Sequence, residues 1–337
     1  MAAVYRGNPG AAARIFSPGS QQDYVRMDVG KRCALSPIGG PLLFVSEKKT
    51  LNTMENISFV HSAQFGFQTP VYCIISDERV HRTKSPRMYN RILQQMGLAG
   101  AYVPFMVAPE DLGRALESLK VLNISGANIS APYKEKAARF MDILSEGAQI
   151  IGSVNTVVCK SGLLKGYNTN AIGFMDALAS MQFEAAGKRA LIFGSGGVAR
   201  SVAFILNWLR AEKVTIVGRD KERTWALAER FSGHALLFSD LDGRKFSVDI
   251  VINTTSVSNA DESPEMYAHI SRLDLSECQL ILDLNYGRRD NFWKQRAQDL
   301  NLPFHDGLSA LAFQARRTFA LWTGMEVPPQ AFLDALQ

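Results

Sequence analysis

Amide, hydroxyl and amine side chains recur in this 337-residue chain at the ends of short apolar segments. Lys134 closes the stretch Asn128-Ile-Ser130-Ala-Pro-Tyr-Lys134, just past an expected strand, Gly126 to Ser130. Ligands of open α/β sheets bind at the carboxyl ends of strands, so Asn128, Ser130 and Lys134 are expected to face a cleft. Hydrogen-bonding side chains beside an amine suit a polyhydroxylated ligand, although a solvated loop lysine has the same sequence appearance. Asn155 ends the next expected strand, and Asn170 opens a helix running to about Met181, where it serves either the cleft or only as a cap. No His/Cys/Asp/Glu spacing suggests a metal.

A second group of residues points to a nucleotide. Ala190-Leu-Ile-Phe runs through Gly194-Ser195-Gly196-Gly197-Val198 into a helix. Gly194 permits a tight turn, Gly196 and Gly197 let the backbone approach a pyrophosphate, and the helix presents free N–H groups at its positive end. One crossover later, Val214 to Val217 ends at Arg219-Asp220, where a ribose-reading residue is expected. Asp220 would bond a free 2′-hydroxyl and repel a 2′-phosphate, whereas Arg219 would attract one. The aspartate favours NAD over NADP, and a solvated turn over an empty pocket is the alternative.

The elements that must position these residues alternate between strand and helix. Val71 to Ile75, Ala101 to Val107 and Gly126 to Ser130 read as strands, separated by helices that begin at Ser85-Pro86 and Pro109. Gly152 to Val158 and Leu163 to Tyr167 form a short strand pair. After the glycine turn come strands at Lys213, Ala235, Val248, Leu280 and Phe304, then a helix from about Leu308 to Trp322 and a last one from Pro328. This order predicts an α/β fold of two open α/β domains with a cleft between them, built on parallel sheets. The expected boundaries are 66–182 with 308–337 for a substrate-type domain and 183–307 for a Rossmann domain. The net charge of +5 contains no long basic run, which argues against nucleic acid. Cys33, Cys73, Cys159 and Cys278 are widely spaced and read as reduced thiols. Without a secretory leader or an apolar run of about 18 residues, the expected location is intracellular, cytoplasmic or nuclear.

Residues 70 to 337 resemble the shikimate and quinate dehydrogenases. The resemblance rests on Thr83-Lys-Ser85-Pro86, Gly126 to Lys134, Gly152-Ser-Val-Asn155-Thr156, Gly194 to Arg200, Asn253-Thr254-Thr-Ser-Val257, Asp283-Leu-Asn-Tyr286, Asp306-Gly307 and Gln314-Ala315. It implies hydride transfer between a nicotinamide and a ring hydroxyl. Thr83 and Ser85 would hold a carboxylate, and Asn128, Ser130, Asn155, Tyr286 and Gln314 the rest of the ligand. Gly194, Ser195, Gly196, Gly197, Val198, Arg219, Asp220, Thr254 and Gly307 would surround the cofactor, and Lys134 would transfer the proton. One departure stands out: Gly166-Tyr-Asn-Thr-Asn170 ends in an amide where the family pattern has the aspartate that assists the lysine. Asp77-Glu-Arg79, Gly287-Arg-Arg-Asp290 and Ala310 depart as well.

Residues 1–65 carry a further resemblance, to the end of type I dehydroquinate dehydratases, in Val4 to Ile15 and Ser36 to Leu43. Dehydratase-like followed by dehydrogenase-like sequence is similar to the fungal quinate repressors. That resemblance implies a catalytically impaired sensor of quinate, shikimate or a dehydro-derivative, acting through a transcription activator and without direct DNA binding. The alternative is an active NAD(P)-dependent dehydrogenase that uses Lys134.

Overall fold

Runs of aliphatic residues too short for a helix, such as Val71-Tyr-Cys-Ile-Ile75 and Ala190-Leu-Ile-Phe193, become strands buried on both faces. The computed structural model describes residues 69–242 and 245–337, so the dehydratase-like stretches lie outside the described residues. Two six-stranded sheets follow one another, joined by one helix, and the expected two-domain α/β architecture is present.

The first sheet holds β1 (Val71–Ser76), β2 (Ala101–Met106), β3 (Gly126–Ile129), β4 (Ile143–Leu144), β5 (Thr156–Lys160) and β6 (Leu163–Tyr167), in the order β2-β1-β3-β5-β6-β4. Helices α1 (Ser85–Gln95), α2 (Leu112–Val121), α3 (Lys134–Ala137) and α4 (Glu146–Ile151) make its connections. The sheet is mixed, not parallel as expected: β5 runs antiparallel to both β3 and β6. Ser161 and Gly162, at φ of 53° and 73°, join β5 to β6 in a two-residue turn that leaves no room for a crossover helix.

Helix α5 (Thr169–Ser180) leads into the second sheet. There β7 (Arg189–Phe193), α6 (Gly197–Trp208), β8 (Lys213–Gly218), α7 (Lys221–Arg230) and β9 (His234–Leu237) form one half. The other half comprises β10 (Ile250–Asn253), α8 (Pro264–Arg272), β11 (Leu280–Asp283), α9 (Phe292–Asp299) and β12 (Phe304–Asp306). All strands are parallel in the order β12-β11-β10-β7-β8-β9. The direction of winding reverses between β7 and β10, which opens a crevice at their carboxyl ends.

The chain then returns to the first sheet. Helix α10 (Leu308–Thr323) packs against α5, and its Trp322 indole donates to the Val157 carbonyl at 2.9 Å. Helix α11 (Pro329–Leu336) lies on α1, with Phe332 and Phe319 buried among Tyr72, Met88, Tyr89 and Ile92. Apolar layers also cover the opposite face of the first sheet and both faces of the second.

The caps of two helices lie just ahead of Ser85 and Thr169. Lys84, not Ser85, occupies the cap position of α1 and makes no side-chain cap bond. Ser85 is the first helical residue, and its amide donates to Thr83 Oγ1 at 3.2 Å. Helix α5 is capped by Asn168, whose Oδ1 accepts from the Ala171 amide at 3.1 Å, so neither Thr169 nor Asn170 is spent on that task.

Candidate active site

Between the two sheets lies a cleft of about 240 Å³. It brings together the residues expected to hold a small polar ligand: Thr83, Ser85, Asn128, Ser130, Lys134, Asn155, Asn170, Tyr286 and Gln314. Strand ends and helix starts account for the convergence. Asn128 lies near the carboxyl end of β3 and Ser130 just past it, Lys134 opens α3, and Asn170 is the second residue of α5. Gln314 faces in from α10, which crosses back over the first sheet. Tyr286 arrives from the second sheet, after β11; burial pushes its phenol up, opposed by hydrogen bonds with Thr83 and the Lys84 backbone.

The hydroxyl pair is preset, with Thr83 Oγ1 donating to Ser85 Oγ at 3.1 Å. Asn128 is pinned by Tyr102, whose phenol donates to its Oδ1 at 2.8 Å, while Nδ2 donates to the Asn155 carbonyl at 3.1 Å. Asn155 accepts at Oδ1 from the amides of Thr169, at 2.7 Å, and Asn170, at 3.3 Å. Removal from water pulls the Lys134 amine down to about 8. Among the described residues no carboxylate pairs with it: the adjacent Glu135 is bound to Arg200 at 3.2 Å and Arg223 at 2.7 Å. Asn170 Nδ2, on the same cleft, is enclosed and has no partner among the described residues.

A groove of about 420 Å³ adjoins the glycine turn. Gly194, Ser195, Gly196, Arg219, Asp220 and Thr254 line it, as expected residues for a nucleotide. Gly194 has φ +111°, and a Cβ there would stand 2.6 Å from Thr254 Oγ1. Thr254 in turn donates to the Phe193 carbonyl at 2.7 Å, fixing that wall. Gly196 has extended backbone and faces open space, so the start of the twelve-residue helix α6 is accessible to an anion. The remaining expected cofactor residues sit elsewhere. A Cβ on Gly197 would meet Ser153 Oγ at 2.8 Å and Lys134 Cβ at 3.0 Å, while Val198 and Gly307 line the smaller cleft.

Asp220 serves the fold in a way the sequence alone did not reveal. Its carboxylate caps α7, accepting from the Arg223 amide at 3.1 Å. Arg223 itself, missed earlier, lines the groove beside Arg219. Its spacing, one turn into the helix after the aspartate, was the available signal. Asn253 and Asp283 do not reach a ligand; both are buried in a loop-holding network in which Asp283 accepts from Asn253, Ser258 and Asn291 at 2.7 to 2.8 Å. Asn285, bonded to that network, lines the cleft and was also missed.

Comparison with known proteins agrees with this geometry. Residues 75–157 match the family described as the shikimate dehydrogenase substrate binding domain, and residues 177–289 match shikimate / quinate 5-dehydrogenase. A shikimate dehydrogenase (NADP+) from Caldanaerobacter subterraneus is 34% identical over 261 residues, covering 76% of this chain and 92% of the relative. One from Thermococcus kodakarensis is 36% identical, covering 77% and 93%. The crystal structure of the Aquifex aeolicus shikimate dehydrogenase superposes with a TM-score of 0.72 at 31% identity, covering 81% of this chain and 99% of that one. The Thermus thermophilus enzyme, in complex with NADP(H) and shikimate, gives 0.69 at 30%, covering 79% and 98%.

These findings overturn the expectation of a repressor. Relatives spanning nearly their whole length are enzymes, and nothing in the comparisons supports a transcription activator as partner or a pseudoenzyme. The amide at position 170 had carried too much weight, because the rest of the cleft is assembled around a lysine that has no carboxylate partner among the described residues. Among the described residues no helix is long and apolar enough to cross a membrane. The chain belongs to the shikimate dehydrogenase family.

Proposed function

We propose that this protein is an NADP-dependent shikimate dehydrogenase in which Lys134 moves the proton. The observation that carries this reading is a desolvated lysine without a carboxylate partner, sharing one cleft with a set of hydroxyl and amide groups. Residues 66–182 and 308–337 form the ligand-holding half, and 183–307 the dinucleotide half. Thr83, Ser85 and Tyr286 bind the ligand carboxylate, while Asn128, Ser130 and Gln314 face its ring oxygens.

The glycine turn fits a dinucleotide: a Cβ on Gly196 would meet nothing within 4 Å, so a pyrophosphate has room to approach the backbone at the start of α6. When bound, the nicotinamide supplies the acceptor or donor of hydride. In alcohol oxidation the ring hydroxyl gives its proton to the neutral amine of Lys134 as hydride leaves the carbinol carbon. In ketone reduction the ammonium returns the proton to the developing alkoxide. Asn170, with an unspent amide on the cleft, donates to the reacting oxygen and holds it in place.

NADP replaces the earlier preference for NAD. One oxygen of the Asp220 carboxylate caps α7, whereas the Arg219 guanidinium borders the groove, beside Arg223, which is bound to Glu135. The relatives' NADP complexes support the same assignment. The test is nicotinamide reduction with shikimate and quinate, each offered with NADP and NAD. Turnover with shikimate and NADP is the expected outcome. No turnover with any pair, at high protein concentration across pH 7 to 10, would overturn the reading.

A further inference from the structure

Behind Gln314 lies a buried group of three threonine hydroxyls, none of which lines the cleft. Thr156 and Thr318 Oγ1 are 2.9 Å apart, Thr156 and Thr169 3.0 Å, and Thr169 and Thr318 3.0 Å. All three residues are 2% exposed or less, so every proton here must find a partner inside the protein.

Two backbone anchors fix the direction of these bonds. The Thr169 and Asn170 amides can only donate, so Asn155 places Oδ1 against them. Its Nδ2 must then point at Thr169 Oγ1, at 2.9 Å, and Gln314 Oε1, at 3.0 Å. At the other end the Asn155 carbonyl can only accept. Asn128 therefore turns Nδ2 toward it, at 3.1 Å, and toward Thr156 Oγ1, at 3.3 Å.

Between the anchors the Thr169 hydroxyl joins Asn155 to Gln314. Thr169 Oγ1 accepts from Asn155 and donates to Gln314 Oε1 at 3.1 Å. Its second lone pair is met by Thr156 or Thr318. Gln314 Oε1 thus receives two donors from the interior, which leaves its Nε2 hydrogens for the cleft.

We propose that Thr156 and Thr318 are positioning residues that act through Thr169. They lock Gln314 with its carbonyl oxygen inward, so that it meets a ligand oxygen only as a donor. The cleft consequently favours an acceptor at that position, a hydroxyl or carboxylate oxygen, and rejects an ammonium or amide N–H. This inference rests on the proposed function for the identity of the ligand, but not for the polarity of Gln314.

The experiment has two arms. In steady-state kinetics with shikimate and NADP, Thr169→Val is expected to raise KM for shikimate about tenfold while kcat and the KM for NADP stay within about twofold, and Thr169→Ser restores the wild-type value. Thr318→Val has a smaller effect, about threefold, because Thr156 reaches Thr169 directly. In ligand-free protein, hydrogen exchange of side-chain amides by NMR is expected to be slow for Asn155 and Asn128 and fast for Gln314. Thr169→Val should accelerate Asn155.

Slow exchange of the Gln314 amide in the wild type overturns the proposal, as does a Thr169→Val protein whose shikimate KM and Asn155 exchange match the wild type. If Thr169→Val fails to fold, Thr318→Val and the wild-type exchange order decide. Absence of shikimate turnover in the wild type would refute the proposed function, and the exchange arm would still decide the polarity of Gln314.

Discussion

Replacing Asn170 by aspartate tests how the cleft sets the protonation of Lys134. Burial lowers this amine from 10.5 to about 8. At pH 7 roughly 10% of the lysine is then neutral, against about 0.03% for an ordinary lysine, a gain of about 300-fold in the form that accepts a proton. The kcat/KM for shikimate oxidation should therefore rise about tenfold per pH unit below 8 and level off above it, and ketone reduction should fall above the same point. The Tyr286 phenol, raised by burial, leaves this limb to the lysine. Asn170→Asp places a carboxylate on the same cleft, which favours the ammonium and moves the limb upward by one to three pH units. At pH 7 the variant should oxidise shikimate about tenfold more slowly or worse, recovering near pH 10. The assay is initial-rate NADP reduction from pH 6 to 10.5 on both proteins. A limb at the same pH in both, or a wild-type limb near 10.5, would refute the reasoning.

Lys134→Met should cost about 10²- to 10⁴-fold in turnover. It should also raise Tm at pH 7, because the folded state binds fewer protons than the unfolded chain between about pH 8 and 10.5, and the penalty for the buried charge is fully present below that window. Arg219→Ala should raise KM for NADP by about ten- to a hundredfold and leave NAD nearly unchanged, as read from paired titrations followed by nucleotide fluorescence; equal effects on both cofactors would remove Arg219 from 2′-phosphate recognition. Gly194→Ala forces a methyl toward Thr254 Oγ1 at a backbone φ of +111°. A loss of about 1 to 3 kcal/mol, seen as a Tm several degrees lower, is the expected result, and an unchanged Tm would contradict the assigned conformation.

The architecture was legible because alternation of apolar strands with helices survives in a single sequence. The glycine turn and Asn128, Ser130, Lys134 and Asn155 could be placed from strand ends, since the carboxyl edge of an open sheet faces its ligand wherever the strands fall, whereas Thr83, Ser85, Tyr286 and Gln314 were placed by the resemblance. What escaped had tertiary causes. Asp220 lines the groove as expected, but the capping of α7 by one of its carboxylate oxygens left no mark in the sequence, and Arg223 was hidden on a helix with no strand end to mark it. Ile143-Leu144 is too short to show any period, and it pairs with β6 only because the β5–β6 turn brings an edge to it. Asn170 was the costliest misreading. One amide in place of a carboxylate suggested lost activity, whereas the lysine's ionisation is set largely by how much water its surroundings exclude.

The return of α10 and α11 to the first sheet also bears on how the chain is made. Strands β1 to β6 leave the ribosome first, yet one face of their sheet, with Tyr72, Met88 and Ile92, is covered by residues after Leu308. Roughly 140 residues of the second half are synthesised in between, a delay on the order of ten seconds. For that interval the first half carries an uncovered apolar face while the second half, whose strands and helices are contiguous, is free to fold. Vectorial synthesis therefore inverts the order of the sequence: the half encoded first is the one completed last.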